Sequence, residues 1–392
     1  MKKLKKILAM CLGAAMVAGS LSGCAGSTGK SSTSGSAKTL KIGGIGPLSG
    51  DAAIYGVAVK NAAQLAIDEV NAAGGVNGMK LALNFQDDQN DSEKAINAYN
   101  TLKDWGMQLL VGTVTSTPCK AVVAKAYSDS MFLLTPSASA VDAIKYKNAF
   151  RVCFSDPNQG KAAAQYIAKN SLAKKVGIIY NSSDVYSTGI TDQFKAEAKT
   201  QGLNVVDSEA FTADNKTDFS VQLQKIQSAG AELLFLPIYY TEASLILKQA
   251  NSKGYAPKIF GCDGLDGLLS VDNFDKKLAE NVMLLTPFAA DSKDTKTQTF
   301  VAAYKKAYNN ETPNQFAADT YDAIYTIKAA LEQADVKDAS IDHKTLCNDL
   351  EKAMTKIKVE GVTGTITWSA DGEPTKTPKA VKIVNGNYTA MD

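Results

Sequence analysis

Short apolar runs alternate with segments of helical periodicity along this chain, and that alternation constrains the fold more than any other feature. LKIGGIG (40–46) reads as a strand. Tyr55 to Ala73 reads as a helix, with Ala62, Leu65, Ala66 and Val70 at helical spacing and Gly74-Gly75 as its stop. LALNFQ (81–86) is a strand, Ser92 to Trp105 a helix, QLLVG (108–112) a strand, Thr117 to Ser128 a helix and MFLLT (131–135) a strand. Parallel neighbours need a crossover, and a helix supplies it, so the order predicts a parallel sheet with helices on both faces. The pattern then restarts. KVGIIY (175–180), a helix from Ser187 to Thr200, NVVDSEAF (204–211), a helix from Asp218 to Ser228 and AELLFLP (231–237) repeat it; a helix over 242–253 and the strand KIFG (258–261) follow.

Two runs of one order predict an α/β protein of two lobes. FRVCFSDPNQG (150–160) is the first candidate crossover between them. VMLLTPFA (282–289) returns the chain to lobe 1, completed by helices near 295–309 and 316–332, and GTITWSADG (364–372) crosses a third time before the strand AVKIV (380–384). Lobe 1 is then 39–156 and 287–365, and lobe 2 is 157–286 and 366–392.

The first residues carry an export signal. Lys2, Lys3, Lys5 and Lys6 precede a charge-free apolar stretch from Ile7 to Ala18, too short to span a bilayer comfortably. Leu21-Ser22-Gly23-Cys24 resembles the bacterial lipobox. Residues 1–23 are thus expected to be removed and Cys24 to be acylated, anchoring the protein on the extracellular face of the membrane, or its periplasmic side. Residues 24–38, rich in Gly, Ser, Thr and Ala, bury too little apolar surface to fold and read as a flexible tether.

The formal net charge of +2 includes +4 from the leading lysines, so no basic nucleic-acid footprint remains. Arg151 is the only arginine, which argues against an arginine clamp on a ligand. Cys119, Cys153, Cys262 and Cys347 are far apart without a CxxC, so no metal site is expected; they allow three pairings, or free thiols. The single histidine, His343, has no triad motif around it, and GGIGPLSG (43–50) lacks the spacing of a nucleotide loop. The chain is expected to be no enzyme and to use no cofactor.

Several segments occur together in an informative order: IGPLSGDAAIYG (45–56), AIDEVNAAGGVNG (66–78), DDQNDSEKA (87–95), VGTVTST (111–117), TPSAS (135–139), FRVCFSDPNQG, YNSSDVYSTG (180–189) and GCDG (261–264). With them the chain resembles the branched-chain amino-acid-binding family, type I periplasmic binding proteins with two Rossmann-like lobes joined by a three-strand hinge. The resemblance covers essentially all of residues 38–392. It implies an amino-acid ligand held between the lobes and delivered to the permease subunits of an ABC importer by a monomer.

Family positions that hold a ligand carboxylate match Ser116 in TVTSTP and Ser137 and Ser139 in TPSAS, and Thr117 and Ala138 beside them are expected to be ligand-binding as well. The residues agree on their own terms: Pro118 suits the first turn of a helix, and Ser139 with Asp142 resembles a capping box, so two helix N-termini are expected to meet one anion. The family holds the ammonium with an acidic residue in a G-x-[ED]-G setting, which implies Asp263; the best-known members carry Glu there. Tyr55, Tyr186, Tyr239 and Phe316 match aromatic positions lining the family's cleft. The competing reading is a sensory or regulatory module of the same fold for an amide or aromatic acid. Sensory ectodomains normally continue into a membrane helix or signalling domain, and the sequence to Asp392 carries neither, which favours transport.

Overall fold

A computed structural model describes residues 39–391; the expected signal peptide, Cys24 and the expected tether lie outside the described residues. In chain order the elements are β1 (Thr39–Gly46), α1 (Ala53–Ala72), β2 (Lys80–Asp87), α2 (Ser92–Trp105), β3 (Leu109–Gly112), α3 (Ser116–Ser128), β4 (Phe132–Thr135), β5 (Ala149–Arg151) and α4 (Asp156–Lys169). Then come β6 (Lys175–Asn181), α5 (Val185–Thr200), β7 (Asn204–Phe211), α6 (Ser220–Ser228), β8 (Leu233–Leu236), α7 (Tyr240–Ser252), β9 (Lys258–Gly261) and β10 (Met283–Thr286). The chain finishes with α8 (Thr295–Ala307), α9 (Gln315–Gln333), α10 (His343–Met354), β11 (Val359–Gly361), β12 (Gly364–Ile366), β13 (Lys379–Val384) and β14 (Asn387–Ala390).

Two large sheets result, one per lobe, and β11 and β12 form a separate antiparallel pair. The first has the order β2-β1-β3-β4-β5 and is parallel throughout. Its strands alternate their apolar side chains between two cores. Leu109, Val111, Phe132 and Leu134 pack with α1, α9 and α10, whereas Leu110 and Leu133 face α2 and α3. The second sheet has the order β14-β13-β10-β9-β8-β6-β7. Val176, Ile178, Leu233 and Phe235 pack against α4 and α5, and Ile179, Leu234 and Leu236 against α6 and α7. Both are open α/β sheets with helices on both faces.

Some local structure departs from the sequence reading. The segment 150–160 is not a bare crossover: β5 ends the first sheet, and α4 starts at Asp156 with Pro157 in its first turn. Ala163, Ala164 and Ile167 form the buried face that holds α4 to the second lobe. Helix α10 starts at His343, and Asp342 caps it by accepting from the amides of Lys344 and Thr345 at 3.1 Å each. The second sheet ends in an antiparallel hairpin, β13 against β10 and β14 against β13, where only parallel strands were expected. A tight turn at Asn385-Gly386, both at positive φ, dictates that pairing.

Candidate functional site

The connections after β1, β3, β4, β6, β8 and β9 bring residues from the carboxyl ends of their strands to one place, where open α/β sheets bind ligands. Tyr55 sits in the first turn of α1, Ser116 opens α3, and Ser137 and Ser139 follow β4. Opposite them, Tyr186 lies in the first turn of α5, Tyr239 caps α7, and Asp263 follows β9. These residues and Phe316 of α9 line one cavity. Close approach makes the geometry possible: a Cβ at Gly56 would stand 1.9 Å from the Pro47 carbonyl oxygen, so glycine lets α1 begin against that loop.

The lobe 1 wall is built around Ser116. Its Oγ accepts from the amides of Ser139 and Ala140, both at 3.1 Å, so the hydroxyl's remaining function is donation. The Ser137 hydroxyl donates to the Val114 carbonyl at 2.7 Å. Behind the loop lies Arg151, fully buried, whose Nη1 donates to the carbonyls of Ala138, Ser139 and Ala140 at 3.3, 2.5 and 3.0 Å. Its Nη2 is 3.0 Å from Glu373. The sole arginine therefore shapes the binding loop without entering the cavity, a role no local motif announced.

The expected second helix N-terminus is corrected. Residues Val141–Ile144 form a 3-10 turn with Ala140 at its N-cap and no side-chain cap. Ser139 does not cap it, because the N-cap position falls one residue on, at Ala140, which has no side-chain oxygen. Of the two helix starts expected for the carboxylate, α3 alone is an α-helix N-terminus. Thr117 and Ala138 do not line the cavity. The Thr117 hydroxyl instead donates across the cleft to Asp184, the N-cap of α5, at 2.8 Å. Ala138 is buried in the core of lobe 1, its amide donating to the Thr135 hydroxyl at 2.9 Å.

The lobe 2 wall is acidic. Asp263 is 4 % exposed, and Tyr186 donates to its Oδ1 at 2.7 Å. Burial pushes its pKa from 3.8 up to about 7 against the lowering effect of Tyr186 and Gln159. Two glutamines absent from the sequence reading fix its backbone: Gln159 accepts from the Asp263 amide at 3.1 Å, and Gln315 donates to the Asp263 carbonyl at 2.9 Å. Aromatic rings close the sides. Tyr55 stacks on Phe316 at 4.1 Å between centroids, and Tyr186 on Tyr239 at 5.0 Å. The Tyr55 hydroxyl donates to the Gly264 carbonyl and accepts from the Tyr240 amide, spanning the lobes. Val114, Thr115 and Gly264 also line the cavity; all three lie inside the motifs TVTST and GCDG without having been singled out.

Cys119, Cys153, Cys262 and Cys347 are free, buried thiols. Among the described residues no group of His, Cys, Asp and Glu is placed to hold a metal ion.

Two α/β lobes around an enclosed polar and aromatic cavity define a solute-binding protein of the two-lobed kind. The family of periplasmic binding proteins matches residues 39–387. A Leu/Ile/Val-binding protein homolog from Brucella melitensis is 30% identical over 342 residues, 85% of this chain and 88% of the relative. A leucine-, isoleucine-, valine-, threonine- and alanine-binding protein of Pseudomonas aeruginosa is 29% identical, over 78% of this chain and 81% of its own. Among solved structures, the branched-chain amino-acid transporter substrate-binding protein LivJ of Streptococcus pneumoniae, in complex with isoleucine, has a TM-score of 0.81 and 30% identity, covering 90% of this chain and 98% of that one. A benzoate complex from R. palustris has the same TM-score, 0.81, at 20% identity over 90% of this chain and 95% of its own, a likeness of fold alone. This chain belongs to the branched-chain amino-acid-binding protein family.

Proposed function

We propose that the protein captures a branched-chain or similar amino acid in the interlobe cavity and delivers it to the permease of an ABC importer. The reading is of binding and delivery, without a chemical step. One observation carries it: the two walls of the cavity are opposite in polarity. Lobe 1 offers the Ser116 hydroxyl at the head of α3, whose first amides have no intrahelical partner, a setting for a carboxylate. Lobe 2 offers the buried Asp263, a setting for an ammonium. The stacked rings of Tyr55 and Phe316 form an apolar wall suited to an apolar side chain. The named relatives bind leucine, isoleucine and valine, which supports the same ligand class here. An aromatic acid without an ammonium leaves Asp263 unpaired, so the benzoate-type ligand is disfavoured. The lobe boundaries given above, the anchor at Cys24, the extracellular location and the monomeric state are parts of the same proposal. A thermal-shift screen over the L-amino acids tests it. A ligand at 100 times its dissociation constant stabilises the folded state by about 2.7 kcal/mol, a clear rise in melting temperature. The reading fails if benzoate raises the melting temperature and no amino acid does.

A further inference from the structure

We propose that Arg151 supplies the counter-charge for the ligand's carboxylate at one remove, through two peptide groups and the Ser116 hydroxyl. It is a positioning residue that never touches the ligand. The inference rests on the amino-acid reading above and deepens it. Burying a guanidinium is costly, and replacing a buried ion pair by apolar side chains is often neutral or stabilising. Stability alone therefore does not explain why the one arginine of the chain lies fully buried behind the carboxylate wall. A positive field on the binding loop does.

The contacts form a chain with one direction. The Nη1 of Arg151 donates to the carbonyls of Ala138 and Ser139. The same two peptide groups carry the amides of Ser139 and Ala140, and both amides donate to the Ser116 Oγ at 3.1 Å. Each peptide thus stands with its oxygen on the guanidinium and its N–H on the serine. A peptide unit carries a dipole of about 3.5 D, and here both dipoles turn their positive ends toward Ser116. Hydrogen bonds in such a chain polarise one another. Having accepted twice, Ser116 keeps its O–H to donate, and it lines the cavity at the head of α3. The third crossover clasps the Arg151 backbone: Trp368 Nε1 donates to its carbonyl at 2.7 Å, and its own amide donates to the Gly372 carbonyl at 3.2 Å. Gly372 has a φ of +83°, and a Cβ there would stand 2.4 Å from the Ala149 carbonyl oxygen, so glycine lets this segment come in. It sets the partly exposed Glu373 3.0 Å from Nη2. Glu373 offsets part of the charge that the loop receives.

The test is calorimetric titration of wild type, Arg151→Gln, Arg151→Lys and Glu373→Gln with L-leucine and L-leucinamide, which keeps the ammonium and replaces the carboxylate by a neutral amide. If the screen above ranks another L-amino acid first, that acid and its amide replace them. The quantity read is the preference for the acid over the amide. Arg151→Gln is expected to lower it about fivefold or more, the gap between a charge-assisted and a neutral hydrogen bond. Arg151→Lys keeps the charge and is expected to retain more of the preference than Arg151→Gln. Glu373→Gln removes the offsetting charge and is expected to raise the preference about twofold, the worth of a partly exposed ion pair. A guanidinium that only holds the loop in shape would weaken both ligands alike in Arg151→Gln and leave the preference as in wild type, and that result overturns the proposal. So does a preference in Arg151→Lys no higher than in Arg151→Gln. Should the Arg151 variants not fold, Glu373→Gln decides: an unchanged or lower preference overturns the relay. If wild type binds no amino acid, the functional reading falls and this inference with it. If wild type binds leucine and the variants keep its preference, this inference falls alone.

Discussion

Asp263→Asn removes one charge at nearly constant shape, and its consequences can be worked out from the site. Burial holds the wild-type carboxyl at about 7 rather than 3.8. The difference of about 3 units corresponds to about 4 kcal/mol at 1.36 kcal/mol per unit. Between those values the folded protein keeps a proton that the unfolded chain has released. This group's contribution to stability therefore falls as pH rises from about 4 to 7, and it levels off above 7. The Asn variant has no such group. Without ligand it should be more stable than wild type at pH about 8, by up to about 4 kcal/mol, with the advantage fading toward pH about 4. Ligand binding runs the other way, because an ammonium needs the ionised carboxylate. Wild-type affinity should drop about tenfold per unit below pH 7, or about 30-fold between pH 8.5 and 5.5. The variant should bind weakly at every pH, since an unpaired buried partner costs about 2–5 kcal/mol. Urea unfolding across pH and calorimetric titration read the two effects. Wild-type affinity that stays flat from pH 5.5 to 8.5 would refute the assignment of Asp263 to an ammonium.

Ser116→Ala should destabilise the fold as well as weaken binding, because the amides of Ser139 and Ala140 lose their acceptor, at about 1–3 kcal/mol for each buried group left unpaired. Ser137→Ala loses only the bond to the Val114 carbonyl and should cost less in urea unfolding; equal costs would contradict this account of the loop. Cys24→Ser should release the protein from the membrane fraction, and continued retention counts against the lipobox. Small-angle scattering should show a smaller radius of gyration with saturating ligand than without, and an unchanged radius would argue for a rigid site.

Strand and helix positions were largely legible because each element carries its own signal. Ser92–Trp105 and Asn204–Phe211 have the bounds their periodicity and stop residues suggest, and Asp91 caps α2 by accepting from Lys94 at 2.8 Å. The cavity-lining tyrosines, serines and Asp263 were legible through motifs, since a βα turn brings its residues to the strand's carboxyl end whatever the rest of the chain does. What stayed hidden depends on contacts between distant segments. Arg151 reads as a lone basic residue until Trp368 and Glu373 are folded against it. Asp156 and Gln159 looked like part of a linker because SDPNQ is a turn-like composition; only the following alanines and Ile167 make it a helix. Thr117 looked like a ligand contact because it neighbours Ser116, yet successive residues of a helix point apart, and its hydroxyl meets Asp184 instead.

Two kinds of bond hold the closed cleft, and their division decides what the ligand must do. Protein-to-protein bonds cross it directly: Tyr55 to Gly264 and from Tyr240, Thr117 to Asp184, Lys216 to Asp51, and Gln315 to Asp263. Each contributes a net of about 0.5–1.5 kcal/mol. Against them stand buried side-chain oxygens without a hydrogen-bond partner, among them Oδ1 of Asp266 and Oε1 of Gln315. At about 1–3 kcal/mol apiece, such groups work against the direct bonds. A ligand that pairs two such groups shifts the closing equilibrium by about 2–6 kcal/mol, comparable to the roughly 5.5 kcal/mol that reverses a 1:99 equilibrium. An amino acid can satisfy lobe 1 with its carboxylate and lobe 2 with its ammonium. An acid lacking the amino group satisfies lobe 1 alone and gives the open form no reason to close. On the proposed function, selectivity for amino acids is expected in the closing step, where lobe 2 engages.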